Sequence, residues 1–174
     1  MSRAFFCGPE GEKLEIRALR EADWPAVRAI YEQGIAGRNA TFETAAPEWA
    51  AWDRSQLERH RLVAVEDGRV VGWIAVHPVS SRPCYSGVVE HSVYVDSDAQ
   101  GRGVGRALIE RLIADTESAG IWTVQTGIFP ENEASIAVHV KCGFRIVGTQ
   151  ERLGKLDGIW RDVLVLERRS EVVT

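Results

Sequence analysis

The sequence predicts an α/β protein whose mixed, mostly antiparallel central sheet is flanked by helices. Short alternating apolar runs, typical of strands, are interspersed with amphipathic segments of helical period. Two of the runs are joined by Asp67-Gly68, which is a strong hairpin signal. The resulting order, β α α β β β α β α β β, does not alternate strictly, which argues against a doubly wound sheet. With 174 residues and no Pro-, Gly- or Ser-rich linker, residues 1–174 are expected to form one domain.

The first half of the chain supplies one strand, two helices and the hairpin. LEIRALR (14–20) alternates as a first strand. Asp23 is then placed to cap a helix that continues to Ile35 and ends near Gly37. EWAAWDRSQLERH (48–60) is a second amphipathic segment, whose tryptophans are expected in the core although they could also meet a second subunit. LVAV (62–65) and VVGWIAV (70–76) form the hairpin.

The second half alternates strands and helices before closing with two strands. GVVEHSVYV (87–95) and WTVQTGIF (122–129) are predicted strands, separated by an amphipathic helix within residues 100–120. A short helix follows at 132–143, with Asn132 as its cap. FRIVGTQERL and IWRDVLVLER are the last two strands.

Composition excludes several classes of protein. The net charge is −4 and the basic residues are interleaved with acids, which disfavours nucleic acid as a partner. No apolar run approaches the roughly 20 residues of a membrane span, and the N-terminus lacks a secretory signal, so a cytoplasmic protein is expected. Cys7, Cys84 and Cys142 are odd in number and lack CxxC spacing, so reduced thiols and no metal site are expected.

A glycine-rich turn is the most specific feature of the chain. QGRGVGRAL (100–108) follows a predicted strand and opens a helix, where backbone N–H groups and the helix dipole favour an anion. No Gly-Lys-Ser/Thr follows, and position 106 is Arg rather than Gly, so two common nucleotide-binding loops are excluded. A turn that only reverses the chain is the alternative.

The turn resembles a known signature. Gln100-x-x-Gly103-x-Gly105 is similar to the acyl-CoA pyrophosphate signature Q/R-x-x-G-x-G/A of the GNAT acetyltransferase superfamily. RPCY, EHSVYV, PENEAS, HVKCGF and KLDGIWRD resemble its phosphinothricin and methionine sulfoximine N-acetyltransferase branch, and the resemblance runs from about Ile16 to Arg168. It implies the GNAT fold, acetyl-CoA as cosubstrate without a metal, a small-molecule amine as acceptor, and a homodimer.

The resemblance also implies how the coenzyme is held. Backbone N–H groups of the glycine turn would bind the pyrophosphate, two arginines would add charge, and the end of the preceding strand would pair with the pantetheine arm. Asn132 and Ser135 would contact the arm from the opposite side, although Asn132 could serve only as a helix cap. The implied coenzyme-binding residues are Val93, Tyr94, Val95, Gln100, Gly101, Arg102, Gly103, Val104, Gly105, Arg106, Asn132 and Ser135.

Glu90 and His139 are the candidate catalytic residues. Alternation places Glu90 on one face of its strand with Ser92 and Tyr94, and a carboxylate among apolar neighbours is a better base near neutrality. The general alternative is an ion-paired or solvent-facing glutamate, but the branch places its proposed base at this position. His139 matches a branch histidine expected near the thiol and substrate, although Val140 replaces the acidic residue that follows it in the branch. His91 points to the opposite face and is not expected to be catalytic.

Three loop residues are candidates for substrate binding. Arg82 and Tyr85 match the branch pattern R-x-x-Y, and a guanidinium can grip a carboxylate or phosphinate with two hydrogen bonds. Phe42 is expected to be an apolar wall in a substrate-lid loop. Cys84 departs from the commoner alanine of the branch and could alter the pocket. A solvated surface arginine and an interface phenylalanine are the alternatives.

The predicted function is transfer of an acetyl group from acetyl-CoA to the α-amine of an amino-acid-like acceptor such as phosphinothricin, methionine sulfoximine or methionine sulfone, with a role in detoxification. Direct transfer in a ternary complex, with Glu90 as base, needs no covalent intermediate. The alternatives are acetylation of a protein N-terminus, a polyamine or an aminoglycoside, an acyl-CoA sensor without turnover, and a thiol enzyme built on Cys84 and His91.

Overall fold

The computed structural model describes residues 4–7 and 13–174, with side chains from residue 14 onward. The N-terminal residues that bear on targeting, and the thiol of Cys7, lie outside the described residues or side chains. The elements are β1 (Ala4–Cys7), β2 (Lys13–Ala18), α1 (Trp24–Ala36), α2 (Trp49–Ser55), β3 (Leu62–Glu66), β4 (Arg69–Pro78), β5 (Val88–Val95), α3 (Val104–Ser118), β6 (Thr123–Ile128), α4 (Glu133–Lys141), β7 (Arg145–Leu156) and β8 (Ile159–Arg169).

The strands form a mixed sheet in the order β1-β2-β3-β4-β5-β6-β8-β7. Only β5 and β6 are parallel, and every other neighbouring pair is antiparallel. The predicted fold class is therefore confirmed, with β1 as an added edge strand that the sequence pattern did not predict. In the described part of the chain, no helix has both the length and the apolar character needed to cross a membrane.

The parallel pairing between β5 and β6 is short, and this creates an opening in the sheet. It covers three residue pairs and ends at Glu90 opposite Gln125. Beyond that point β5 continues to Val95 while β6 turns to pair with β8 alone. The core under the opening is filled from α3, whose Val104, Leu108 and Leu112 are buried as their spacing predicts. On the other face of the sheet, Trp24 and Trp52 pack with α1 and β4 in a second core, so the predicted core position of Trp52 is confirmed.

Two helical predictions need correction. Asp23 stands at the start of α1, but its carboxylate accepts hydrogen bonds from the Arg17 guanidinium at 2.7 Å and from the Arg20 amide at 2.8 Å, so it does not cap that helix. The predicted helix at 48–60 stops at Ser55. Leu57 leaves the helix because its N–H donates to the Val76 carbonyl, 2.8 Å away on β4.

The predicted hairpin at Asp67-Gly68 is present, and the last two predicted strands also pair as a hairpin whose first strand is longer than expected. Asp67 and Gly68 both have positive φ (48° and 80°), which matches the primed turn that such a dipeptide favours. The last two strands meet at Asp157-Gly158, so β7 extends three residues beyond the predicted end at Leu153. This β7–β8 hairpin leaves several large apolar side chains exposed.

Candidate functional site

The glycine turn lies between the end of β5 and the start of α3. Gly101 and Gly103 have φ of 74° and 87°, a left-handed backbone that residues with a Cβ adopt only at a cost. Gly105 is different, because a Cβ there would meet only Val95 Cγ2 at an ordinary 3.5 Å. Two of the three glycines are thus required by the backbone. The third leaves bare surface on the cavity beside it.

That cavity, which we call the glycine-loop groove, has a volume of about 680 Å³ and follows the opening in the sheet. Its walls are the end of β5, the glycine turn, α4, and the end of α1 with the loop that follows it. In the part of the chain that the structure describes, no side chain caps the start of α3, and the first N–H groups of a helix lack partners within it, so this wall offers donors to an anion. The predicted coenzyme residues that line the groove are Val93, Tyr94, Val95, Gln100, Gly101, Gly103, Val104, Gly105, Arg106, Asn132 and Ser135.

The charged and polar side chains of the groove are partly engaged within the chain. Arg106 lines it while its Nε donates to Glu110 at 2.7 Å. Arg102, predicted to add charge, does not line the groove; its guanidinium forms a salt bridge to Glu66 at 3.0 Å. Asn132 caps α4, its Oδ1 accepting from the Ser135 amide at 3.2 Å. The predicted cap is therefore confirmed, and Asn132 also faces the groove.

A second cavity, the Glu90 pocket, lies on the other face of β5 and has a volume of about 810 Å³. Glu90, Ser92 and Tyr94 all line it, as the alternation predicts. The carboxylate of Glu90 accepts a hydrogen bond from Gln125 Nε2 at 3.2 Å, and His77 Nε2 lies 4.0 Å from its other oxygen. The expectation that apolar side chains surround Glu90 is therefore wrong. The side chains next to its carboxylate are polar, and its own side chain is 39% exposed.

Aromatic rings build the remaining walls of the Glu90 pocket. Phe42 packs edge-on against Phe129, with 4.9 Å between ring centroids. The Phe42 ring also covers Gly154, where an added Cβ would come within 2.9 Å of it. Tyr94 stacks on Trp73 at 4.9 Å. Burial raises the pKa of the Tyr94 hydroxyl above its ordinary value of 10, so the hydroxyl keeps its proton near neutrality and can donate a hydrogen bond.

The two cavities adjoin each other at Tyr94 and Ala40, which line both of them. The Tyr94 hydroxyl donates to the Ala40 carbonyl over 3.4 Å. A group held in the glycine-loop groove can therefore come close to a group held beside Glu90. This arrangement suits transfer between two bound molecules.

A family model described as the acetyltransferase (GNAT) family matches residues 15–144. The chain belongs to this family. It is 32% identical to the L-amino acid N-acyltransferase MnaT of Escherichia coli (strain K12), over 91% of this chain and 97% of that protein. It is 34% identical to phosphinothricin N-acetyltransferase of Alcaligenes faecalis, over 88% of this chain and 81% of that protein.

A solved structure also matches the fold. A GNAT superfamily phosphinothricin acetyltransferase (Pat) from Sinorhizobium meliloti, in complex with acetyl-CoA, superposes with a TM-score of 0.82 and is 27% identical, covering 90% of this chain and 88% of that one. The family and its resemblance to the phosphinothricin branch are thereby confirmed. The protein is an acyltransferase that uses acetyl-CoA.

Unlike the residues around Glu90, the candidate catalytic histidine lies outside both cavities of this acetyltransferase. His139 is only 1% exposed and contributes to the lining of neither cavity. Its Nε2 lies 3.2 Å from Nε2 of His91, which is also buried. The structure does not bring His139 to Glu90, and its predicted contact with thiol and substrate stays a prediction.

The candidate substrate loop also lies apart from Glu90. Arg82 and Tyr85 are exposed on a short 3₁₀ turn, Pro83–Tyr85, where the guanidinium lies over the phenol ring at 5.6 Å from its centroid. Neither residue lines the glycine-loop groove or the Glu90 pocket. Cys84 is an exposed free thiol on the same turn, whereas His91 faces the core, so the structure does not assemble the alternative thiol enzyme.

Sequence reasoning missed the two side chains that flank Glu90. His77 is the direct partner of Glu90 across the β4–β5 ladder, and Gln125 is its partner across the β5–β6 ladder. His77 is a lone imidazole at the end of an apolar strand, and Gln125 stands between Val124 and Thr126, so neither residue gives a strong signal in the sequence. Only the register of the three strands shows that they meet.

Proposed function

We propose that this protein transfers the acetyl group of acetyl-CoA to the α-amine of a small amino-acid-like acceptor, with phosphinothricin, methionine sulfoximine and methionine sulfone as the first candidates. The observation that carries the proposal is the meeting of the glycine-loop groove and the Glu90 pocket at Tyr94 and Ala40. The names of the relatives, an L-amino acid N-acyltransferase and a phosphinothricin N-acetyltransferase, support the same class of acceptor.

The chemistry of the glycine-loop groove suits coenzyme A. The unpartnered N–H groups at the start of α3, with the charge of Arg106, would hold the pyrophosphate. The bare surface at Gly105 would let it approach the backbone closely. β5 beyond Glu90 has no β6 partner, so its backbone at Val93–Val95 would pair with the pantetheine arm as an added strand.

Glu90 is the proposed general base. It accepts a proton from the ammonium group of the acceptor, directly or through one water, and the resulting amine attacks the acetyl carbonyl. The C–S bond then breaks, and coenzyme A leaves as the thiol after taking up a proton. An N–H from the Val93–Val95 stretch would polarise the thioester carbonyl. Gln125 on β6 donates a hydrogen bond to the carboxylate, and His77 on β4 faces its other oxygen at 4.0 Å.

Arg82 and Tyr85 are proposed, on the family resemblance, to bind the acidic groups of the acceptor. Of the described residues, neither Arg nor Lys lines the Glu90 pocket. The exposed turn that carries Arg82 and Tyr85 therefore offers the pair of side chains with the right chemistry, although neither side chain lines the pocket in the structure.

A cationic amine such as a polyamine is the second candidate acceptor. The Glu90 pocket carries two carboxylates, Glu43 and Glu90, together with aromatic walls that favour cations. Because Arg82 does not line the pocket, it does not exclude such a substrate. An acceptor panel must therefore include spermidine.

The homodimer is proposed to form through the β7–β8 hairpin. Large apolar side chains on a surface are typical of contact sites, and here they lie on one hairpin. They are Ile146, Val147, Leu153, Ile159 and Trp160. Light scattering coupled to size exclusion is expected to show two copies, and Trp160→Glu to shift the protein toward the monomer. A wild-type monomer at all concentrations would contradict the dimer.

Thiol release from acetyl-CoA tests the proposed function. The panel contains phosphinothricin, methionine sulfoximine, methionine sulfone, common amino acids, spermidine, an aminoglycoside and a peptide with a free N-terminus. We expect turnover with the oxidised or phosphorus-containing amino acids. Turnover with spermidine alone would select the second candidate, and turnover with the peptide or the aminoglycoside alone would overturn both. Binding of acetyl-CoA without turnover of any amine would indicate a sensor.

The same panel bears on the biological role. Acetylation of the α-amine removes a positive charge from a toxic amino-acid analogue, so a detoxifying role in the cytoplasm is proposed together with this acceptor class. Cells that express the protein are expected to grow in the presence of phosphinothricin or methionine sulfoximine at concentrations that stop cells expressing Glu90→Gln. Equal growth of the two strains would contradict this role.

A further inference from the structure

Two buried histidines join the two sides of the opening in the sheet. His91 is the first residue of β5 beyond its parallel pairing with β6. His139 lies on α4, which forms the opposite wall of the glycine-loop groove. Their rings stack with centroids 5.0 Å apart, and the two Nε2 atoms are 3.2 Å apart. Phe144 packs against both rings, and the exposures of 2% and 1% leave the pair out of contact with water.

The hydrogen bonds of the pair fix the tautomer of each ring. His139 Nδ1 lies 2.6 Å from the Ser135 carbonyl oxygen, which can only accept, so the proton of His139 is on Nδ1. A neutral His139 then presents a bare Nε2, and the facing Nε2 of His91 must donate to it. Within residues 4–7 and 13–174, no group donates to His91 Nδ1, which is left as a buried acceptor. An unpaired acceptor is tolerated better than an unpaired N–H, which agrees with this assignment.

The series of hydrogen bonds through the two histidines ends in the wall of the glycine-loop groove. It runs from His91 on β5 to His139 on α4 and on to the Ser135 carbonyl, and Ser135 itself lines the glycine-loop groove. α4 is a helix and makes no ladder hydrogen bonds with β5, so such bonds cannot set the separation of the two elements here. A directed bond of fixed length between the two rings can do so.

We propose that His91 and His139 are a positioning pair, with opposite tautomers, that sets the width of the glycine-loop groove and thereby the affinity for acetyl-CoA. The inference rests on the proposed coenzyme site. It gives His139 a role that needs no contact with the thiol or the acceptor.

Nitrogen-15 NMR of the imidazole rings tests the tautomers in the wild-type protein. At pH 7.5 we expect His139 to carry its proton on Nδ1 and His91 to carry its proton on Nε2, with neither ring exchanging rapidly with water. The opposite assignment, or rapid averaging of either ring between tautomers, would overturn the proposal. This measurement does not depend on acetyl transfer or on any variant.

Two substitutions of His91 test the coupling to the coenzyme. His91→Gln keeps a donor near the position of Nε2, whereas His91→Leu has a similar size and no donor. We expect His91→Leu to raise the Kd for acetyl-CoA about tenfold, the effect of one lost hydrogen bond, and His91→Gln to stay within about threefold of wild type. His60→Asn, outside both cavities, is the matched control for removing a histidine and should bind as wild type does.

The readouts separate this proposal from the proposed function. Calorimetry gives the Kd for acetyl-CoA, circular dichroism shows that each variant is folded, and thiol release gives kcat at saturating acetyl-CoA. The proposed role of the histidine pair is supported when His91→Leu weakens the binding of acetyl-CoA and leaves kcat within about threefold of wild type. Equal Kd values for folded His91→Leu and His91→Gln would overturn it, even if the wild type turns over every acceptor. Coenzyme binding without turnover would instead count against the proposed function alone.

Discussion

The glycine-loop groove and the Glu90 pocket lie on opposite faces of β5, yet they are built in different ways. The groove is built around one continuous segment, which runs from the end of β5 through the glycine turn into α3, and its other walls are α4 and the end of α1 with the loop that follows it. The pocket is made from side chains of several distant segments, including Phe42, His77 and Gln125. A cosubstrate shared by a whole family can be bound by a local motif. An acceptor that varies within the family is bound by side chains that can change one at a time.

Removal of the carboxylate at position 90 should produce the largest loss of activity. The loss should come from the Glu90 pocket alone and leave coenzyme binding unchanged. We expect Glu90→Gln to lower kcat/KM by about 10²- to 10⁴-fold near neutral pH, because the base is lost. Activity should recover in part at high pH, where more of the amine is free. The Kd for acetyl-CoA should not change, since Glu90 does not line the groove. Thiol release across pH and calorimetry provide the two measurements.

Glu58→Gln, an exposed carboxylate on the loop before β3, is the control for the loss of one negative charge. It should leave both measurements as in wild type. Wild-type activity of Glu90→Gln at every pH would remove Glu90 from the mechanism.

The same substitution at two glycines should distinguish an effect on fold stability from an effect on coenzyme binding in the groove. Gly103→Val forces a branched side chain into a left-handed backbone, so it should lower both Tm and affinity. Gly105→Val lies inside α3 and projects into the groove, so it should raise the Kd for acetyl-CoA about tenfold while lowering Tm much less. Thermal melting measures Tm and calorimetry measures the Kd for acetyl-CoA of the two glycine variants. Equal losses of Tm would show that Gly105 is also required by the backbone.

Loss of the Gln125 amide should have a smaller effect on the pocket. Gln125→Leu removes the hydrogen bond that orients Glu90, and we expect kcat to fall by about three- to tenfold. The Kd for acetyl-CoA should stay constant. Steady-state kinetics at saturating acetyl-CoA measure the change. An unaltered kcat would mean that the β5–β6 register alone positions the carboxylate.

Acid should weaken the fold through the buried histidines. Burial lowers the pKa of His139 below its ordinary 6.5, and burial with the nearby charges of His139 and His77 lowers the pKa of His91 further. Below pH 6.5 the unfolded chain therefore binds protons that the folded chain does not, so the free energy of unfolding falls as pH falls.

Thermal melting between pH 7.5 and 5 measures this effect, which is at most about 1.4 kcal/mol per pH unit for each histidine. In His91→Leu the slope of Tm against pH should be shallower than in wild type. His60→Asn serves as the comparison, because burial also lowers the pKa of His60. Identical slopes in wild type and His91→Leu would contradict the assignment of the effect to the buried pair.

Much of the fold and the groove could be predicted from local sequence. Alternation and helical period located most elements, Asp67-Gly68 located a hairpin, and Gly103 and Gly105 located the turn. These signals act over a few residues and depend little on the rest of the chain. The end of α2 was missed because it depends on Leu57 finding a partner in β4, a contact across the sheet.

The Glu90 pocket was predicted less completely, for the same physical reason. Alternation placed Glu90 on the correct face, but its polar surroundings come from His77 and Gln125, which reach it only through strand register. The core position of His139 likewise depends on how α4 packs across the opening in the sheet. Residue type and spacing carry little information about such contacts.

The close packing of Phe42 on Gly154 connects acceptor choice to a distant part of the chain. The two residues are far apart in sequence, and any side chain at position 154 would meet the Phe42 ring at about 2.9 Å and displace it. A single codon change in the C-terminal hairpin would then reshape the wall of the Glu90 pocket while the catalytic strand stays intact. Natural selection would thus have a route to a new acceptor that leaves the coenzyme site and the base untouched.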